Sequence, residues 1–162
     1  MNKTKTRKKR HIQALTWLLL TLLLVAGCRE SSTTVSIVEP RARLTPGVAS
    51  TGAVYMKIVN RTYQDDRLAS VESSVAKNTE THETVHRNGV ARMLDRHDGF
   101  AVPARSTVEL KPGGKHIMLV GLQEGVKKQH SIGLKLRFEK AGMREIRVPV
   151  VEKYEASCCQ KK

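Results

Sequence analysis

The dipeptide Asn88-Gly89 constrains this 162-residue chain more than any other feature. Both residues tolerate positive φ, and in sequence they mark a two-residue hairpin turn. Such a turn folds Thr79–Arg87 back onto Val90–Leu94. The same grammar recurs along the chain, with short apolar or β-branched runs parted by turn signals. Further strands are expected at Val35–Val38, Ala53–Asn60, Arg67–Ser73, Thr107–Leu110, His116–Leu122, Ser131–Glu139 and Glu145–Glu152. Pro112-Gly113-Gly114 separates two of them, and Pro103 closes another run. Leu134, Leu136 and Phe138 alternate with Lys135, Arg137 and Glu139, so one face is apolar and the other charged. No stretch of useful length keeps a helical period. Many short strands with turns every 8–12 residues imply an all-β fold, an antiparallel sandwich or barrel in a single domain.

The first 27 residues read differently. Lys3, Lys5, Arg7, Lys8, Lys9 and Arg10 precede an apolar run from Ala14 to Val25, which ends in Ala26-Gly27-Cys28. Charge, short apolar core and small residues in that order are an export signal. The run falls short of the roughly 20 apolar residues of a membrane span. A cysteine directly after the small residues resembles a bacterial lipobox. This implies cleavage of residues 1–27, lipidation of Cys28, and a cell-envelope protein anchored to a membrane and facing the periplasm. Residues 28–34 are small and polar, a tether. The β-domain is expected over residues 35–152, and a flexible tail over 153–162.

Loss of six signal cations takes the formal charge from +14 to +8. A basic exported domain with few aromatics and no nucleic-acid motif has little use for nucleic acid. Anionic lipid headgroups or an acidic protein fit the charge better, and a solvated surface that only keeps the protein in solution fits it equally well. Of three cysteines, Cys158 and Cys159 are adjacent near the C-terminus, which is neither a disulfide framework nor a redox Cys-x-x-Cys pair.

The residues that carry chemistry are His82 with Met93, and His116 with Met118. Imidazole suits copper, and thioether sulfur selects its soft, reduced form, Cu(I). His116 and Met118 lie two apart in a strand and so share a face. Across the Asn88-Gly89 turn Arg87 faces Val90 and Thr84 faces Met93, which leaves His82 one diagonal step from Met93. Spacing alone leaves open whether the two pairs converge, because methionine in a strand is usually core filler. His86, Cys158 and Cys159 are auxiliary candidates. His97 and His130 read as exposed loop histidines, with a secondary Cu(II) locus as the alternative.

The stretch from Glu39 to Val150 resembles the periplasmic copper chaperone family called PCu(A)C. The resemblance is carried by His82, ten residues, Met93, and then His116-Ile117-Met118. Gly52-Ala53-Val54-Tyr55, Asp65-Asp66-Arg67-Leu68, Asn88-Gly89-Val90 and Val102-Pro103-Ala104 agree with it. So do Val108–Leu119 and Phe138-Glu139-Lys140-Ala141-Gly142. It implies a cupredoxin-like, Greek-key β-sandwich binding Cu(I) through His82, Met93, His116 and Met118. It also implies a recipient, the Cu(A)-bearing subunit of cytochrome c oxidase or another copper chaperone. The chain departs from the family in three places. Twenty-two residues separate Met93 from His116 where 21 are usual, Thr84 and His86 stand where methionine is common, and Arg41 replaces an aromatic residue.

A structural envelope lipoprotein without metal would need the same fold. An enzyme would need a motif, and His82-Glu83-Thr84-Val85-His86 formally matches the zinc protease His-Glu-x-x-His. That motif works on a helix. On a strand the two histidines share a face but lie about 13 Å apart at 3.3 Å per residue, too far for one ion.

Overall fold

The computed structural model describes residues 34–45 and 50–152. The signal, Cys28, nearly all of the tether, and the tail with Cys158 and Cys159 lie outside the described residues. Ten strands follow one another: β1 (Val35–Leu44), β2 (Thr51–Asn60), β3 (Asp66–Glu72), β4 (Ala76–Arg87) and β5 (Val90–Asp95). Then come β6 (Phe100–Val102), β7 (Thr107–Leu110), β8 (Lys115–Leu122), β9 (Ser131–Phe138) and β10 (Gly142–Pro149). The one helical element among the described residues is a 3₁₀ turn at Val126–Lys128.

The strands form two antiparallel sheets. One has the order β1-β2-β8-β4-β5, with β7 also on β2, and the other has the order β10-β9-β3-β6. On the side away from β1, strand β2 is shared. Thr51–Val54 pair with β8, and Met56–Val59 pair with β7. Residues alternate strictly in β2, with Val54, Met56 and Ile58 buried and Ala53, Tyr55 and Lys57 partly exposed. Strand β9 alternates likewise, burying Ile132, Leu134, Leu136 and Phe138. With Leu68, Phe100, Val102, Ile117 and Leu119 they form one continuous core between the sheets. Each fully buried side chain of this kind contributes on the order of 1.5–3 kcal/mol through area removed from water.

Several boundaries differ from those expected. β1 continues through Pro40 to Leu44. It is an edge strand, and Glu39 at φ 52° opens a bulge where the register shifts between Val38 and Arg41. An edge with a bulge is where proline is tolerated in a sheet. Strand β6 is only three residues long, too short for a periodic signal, although Pro103 marks its end. β10 begins at Gly142, whose φ of 75° closes the turn from β9. Gly99, at φ 71°, is needed for a second reason. A Cβ there would lie 1.9 Å from the Leu68 carbonyl oxygen.

Asp66 ties the β9–β10 turn to β3. Its carboxylate accepts the backbone N–H groups of Lys140 and Ala141, both at 2.9 Å, and of Arg67 at 2.7 Å. Burial alone would raise its pKa, but these three N–H groups outweigh that, and the net shift is downward from 3.8. A lowered folded pKa stabilises the protein above the unfolded value and loses that stability as pH falls through the folded one. Asp66→Asn is therefore expected to cost about 1–3 kcal/mol at neutral pH. In denaturant titrations the gap to wild type should close only below about pH 4. A gap independent of pH would mean that the carboxylate charge contributes nothing.

Candidate metal site

The β4–β8 register places the chemistry. His82 pairs directly with His116, Thr81 with Ile117, and Glu80 with Met118. Directly paired residues point to the same side of a sheet. Ile117 and Leu119 are buried in the core, so His116 and Met118 face outward, and His82 with them. Strand β5 joins on the other flank of β4, with Thr84 opposite Met93 and His82 opposite Asp95. Met93 therefore shares the outward face and lies one diagonal from His82. The Asn88-Gly89 turn that sets this register has φ 51° and 77°. The far end of β5 is held by Thr81, whose hydroxyl donates to the Arg96 carbonyl at 2.6 Å and whose own carbonyl accepts the Arg96 N–H at 2.7 Å. Arg96 also donates through Nε to Glu83 at 2.8 Å.

The two imidazoles stand edge to face, with ring centroids 5.8 Å apart and an interplanar angle of 62°. His116 is 6% exposed, and Tyr55 lies beside it at 6.4 Å between ring centroids. Its Nδ1 lies 2.9 Å from the Gly114 carbonyl oxygen, which can only accept, so the proton sits on Nδ1 and Nε2 keeps its lone pair. His82 is arranged the opposite way. Its Nε2 lies 3.0 Å from the Glu80 carboxylate, while its Nδ1 is buried without a partner. A neutral His82 thus donates from Nε2 and offers a bare Nδ1. Each ring has one nitrogen fixed by an acceptor and the other free, the arrangement in which histidine binds a metal.

The thioethers differ in position. Met118 is half-buried beside His116, between Glu80 on β4 and Ala53 on β2. Met93 is 55% exposed on an edge strand whose six residues are all exposed. The structure thus brings His82, His116 and Met118 together on one face, and leaves Met93 on the far flank of His82. For Met93 to reach an ion held by the imidazoles, its flexible side chain must fold back over β4.

Of the auxiliary candidates, His86 lies further along β4, exposed and opposite Ala91. Because His82–His86 forms part of β4, the helix that the zinc protease motif requires is absent there. His130 is exposed in a turn. His97 is 89% exposed and lies 3.3 Å from Asp95. Glu80 and Asp95 were not singled out from sequence. Their carboxylates and His82 bring three ligand atoms within 4.8 Å of one another. The same two-residue rule that pairs His116 with Met118 finds them, since Glu80 precedes His82 by two and Asp95 follows Met93 by two.

Fold and site together define an all-β domain with the architecture of the solved PCuAC domains. The family model described as "Putative lipoprotein LpqE-like" matches residues 35–150, and the chain belongs to that family. Among solved structures, "Copper-bound PCuAC domain from PmoF2" is 26% identical with a TM-score of 0.59. The match covers 72% of this chain and 92% of that one. The solution structure of CuI-DR1885 from Deinococcus radiodurans is 24% identical with a TM-score of 0.61, covering 80% and 85%. A curated relative, "Putative lipoprotein Lxx21020" of Leifsonia xyli, is 42% identical over 78 residues, 48% of this chain and 47% of the relative. The matches span about half the length of the curated relatives.

The two hydrogen-bond partners predict opposite tautomers in the metal-free protein. Nitrogen-detected NMR should find the proton of neutral His82 on Nε2 and that of His116 on Nδ1. The same tautomer on both rings would contradict the assigned donors.

Proposed function

We propose that this domain binds one Cu(I) ion as cargo and hands it on, acting as a copper carrier and not as an enzyme. The observation that carries the reading is the bare, buried Nδ1 of His82, a residue whose strand position shares a face with His116 and Met118. An unpartnered buried polar atom is costly unless something binds it. Imidazole and thioether together form a neutral, soft donor set that suits Cu(I). The similar PCuAC domain from PmoF2, which is copper-bound, supports the same cargo.

In this reading His82 Nδ1, His116 Nε2 and Met118 sulfur hold the ion, and Met93 closes over it from the β5 edge. A mobile thioether at the exposed side suits a carrier, because one ligand can leave while the others retain the ion. The donors are all neutral, so a recipient with cysteine thiolates would hold Cu(I) more firmly, and transfer runs downhill by ligand exchange. The Cu(A) site of cytochrome c oxidase, reached directly or through a second chaperone, is the recipient proposed. Lipidation at Cys28, after removal of residues 1–27, would hold the domain at a membrane in the periplasm. Membership in a lipoprotein family supports that location.

Met118→Leu keeps nearly the same volume and should cost less than about 1.5 kcal/mol in stability. It should weaken Cu(I) affinity by at least about tenfold in a competition titration under reducing conditions. Wild-type protein should take up one ion. Failure to bind Cu(I) would leave an envelope lipoprotein that serves only as a protein scaffold.

A further inference from the structure

Besides the imidazole and thioether donors, two carboxylates adjoin His82 on the same face. Glu80 Oε2 is 3.0 Å from His82 Nε2, and Asp95 Oδ1 is 4.0 Å from the same nitrogen. First-row divalent ions hold nitrogen and oxygen ligands at about 2.0–2.2 Å. Two such ligands lie about 3 Å apart when adjacent on the ion and about 4 Å apart when opposite. The two measured distances fit those separations. Asp95 presents its second oxygen to His97 Nε2 at 3.3 Å, so a further imidazole stands within reach of the same group.

From this we infer a second metal subsite, formed by Glu80, His82 and Asp95, that takes a divalent ion with nitrogen and oxygen preference, Cu(II) foremost. Carboxylate and imidazole suit Cu(II), whereas the thioethers suit Cu(I). His82 belongs to both sets through different nitrogens. With its proton on Nε2, donated to Glu80, the ring keeps Nδ1 bare for the soft ion. With the proton on Nδ1, it offers Nε2 to the carboxylates. A neutral ring has one nitrogen lone pair to offer at a time, so the two ions compete for His82. The divalent state leaves an N–H at the buried Nδ1 position without an acceptor, which makes it the weaker of the two. The inference shares His82 with the Cu(I) reading but does not depend on either methionine. The alternative is that Glu80 and Asp95 only neutralise and orient His82.

The test uses the full chain with Cys28, Cys158 and Cys159 replaced by serine, so that no thiol binds or reduces the metal. Cu(II) is added in air and followed by electron paramagnetic resonance, with Ag(I) as a redox-inert stand-in for Cu(I). One Cu(II) with nitrogen and oxygen ligation is expected, displaced by Ag(I). Asp95→Asn should weaken Cu(II) binding by at least about tenfold and leave Cu(I) affinity within about twofold. Met118→Leu should do the reverse. Unchanged Cu(II) affinity in Asp95→Asn, or no stoichiometric Cu(II) in the starting protein, would overturn the subsite. Loss of Cu(I) binding in the unsubstituted protein would instead count against the carrier.

Discussion

The pairing of His82 with His116 across β4 and β8 is the constraint on which the site depends. Side chains in a strand alternate, so a slip of one residue would turn the whole donor face inward. The core prevents that slip. Ile117 and Leu119 on β8 are fully buried against the second sheet, and Thr81 beside Ile117 is tied by its hydroxyl to Arg96. The same apolar burial that stabilises the sandwich therefore fixes which nitrogens and sulfurs face out. The outward set of the imidazoles thus rests on packing on the opposite face of their own sheet.

The site is also divided by donor type. Towards β8, the face carries imidazole and thioether. Towards β5 and the earlier part of β4, it carries carboxylates. His82 sits at the boundary, with one ring nitrogen against Glu80 and the other buried and bare. A histidine held this way is oriented before any metal arrives, which lowers the ordering cost of binding. Met93 is the exception. It projects from the exposed edge strand β5, so the open side of the site is also its most adjustable side. That asymmetry suits an ion that must be both held and surrendered.

Much of the fold was legible because its signals are local. Asn88-Gly89 set the hairpin and its register, and the alternation of Leu134, Leu136 and Phe138 identified a buried strand face. The two-residue spacing of His116 and Met118 sufficed to place them on one face. What sequence could not supply was the neighbour of β4 on its other side. The direct pairing of His82 with His116 joins residues 34 positions apart, and no turn chemistry encodes it. Glu80 and Asp95 were passed over because acidic residues in outward strand positions look like ordinary solvated surface. The continuation of β1 past Pro40 escaped for a related reason, since proline forbids a central strand but not a bulged edge. Membership in the LpqE-like family and similarity to PCuAC domains agree with the resemblance read from the motif.

In the proposed carrier, imidazole and thioether groups from three neighbouring strands, β4, β8 and β5, close on one Cu(I). X-ray absorption at the copper edge of the Cu(I)-loaded protein tests this most directly. Two imidazole nitrogens together with thioether sulfur are expected around the ion, with loss of sulfur scattering when Met93 and Met118 are both changed to leucine. A shell of nitrogen and oxygen alone in the unsubstituted protein would contradict this coordination.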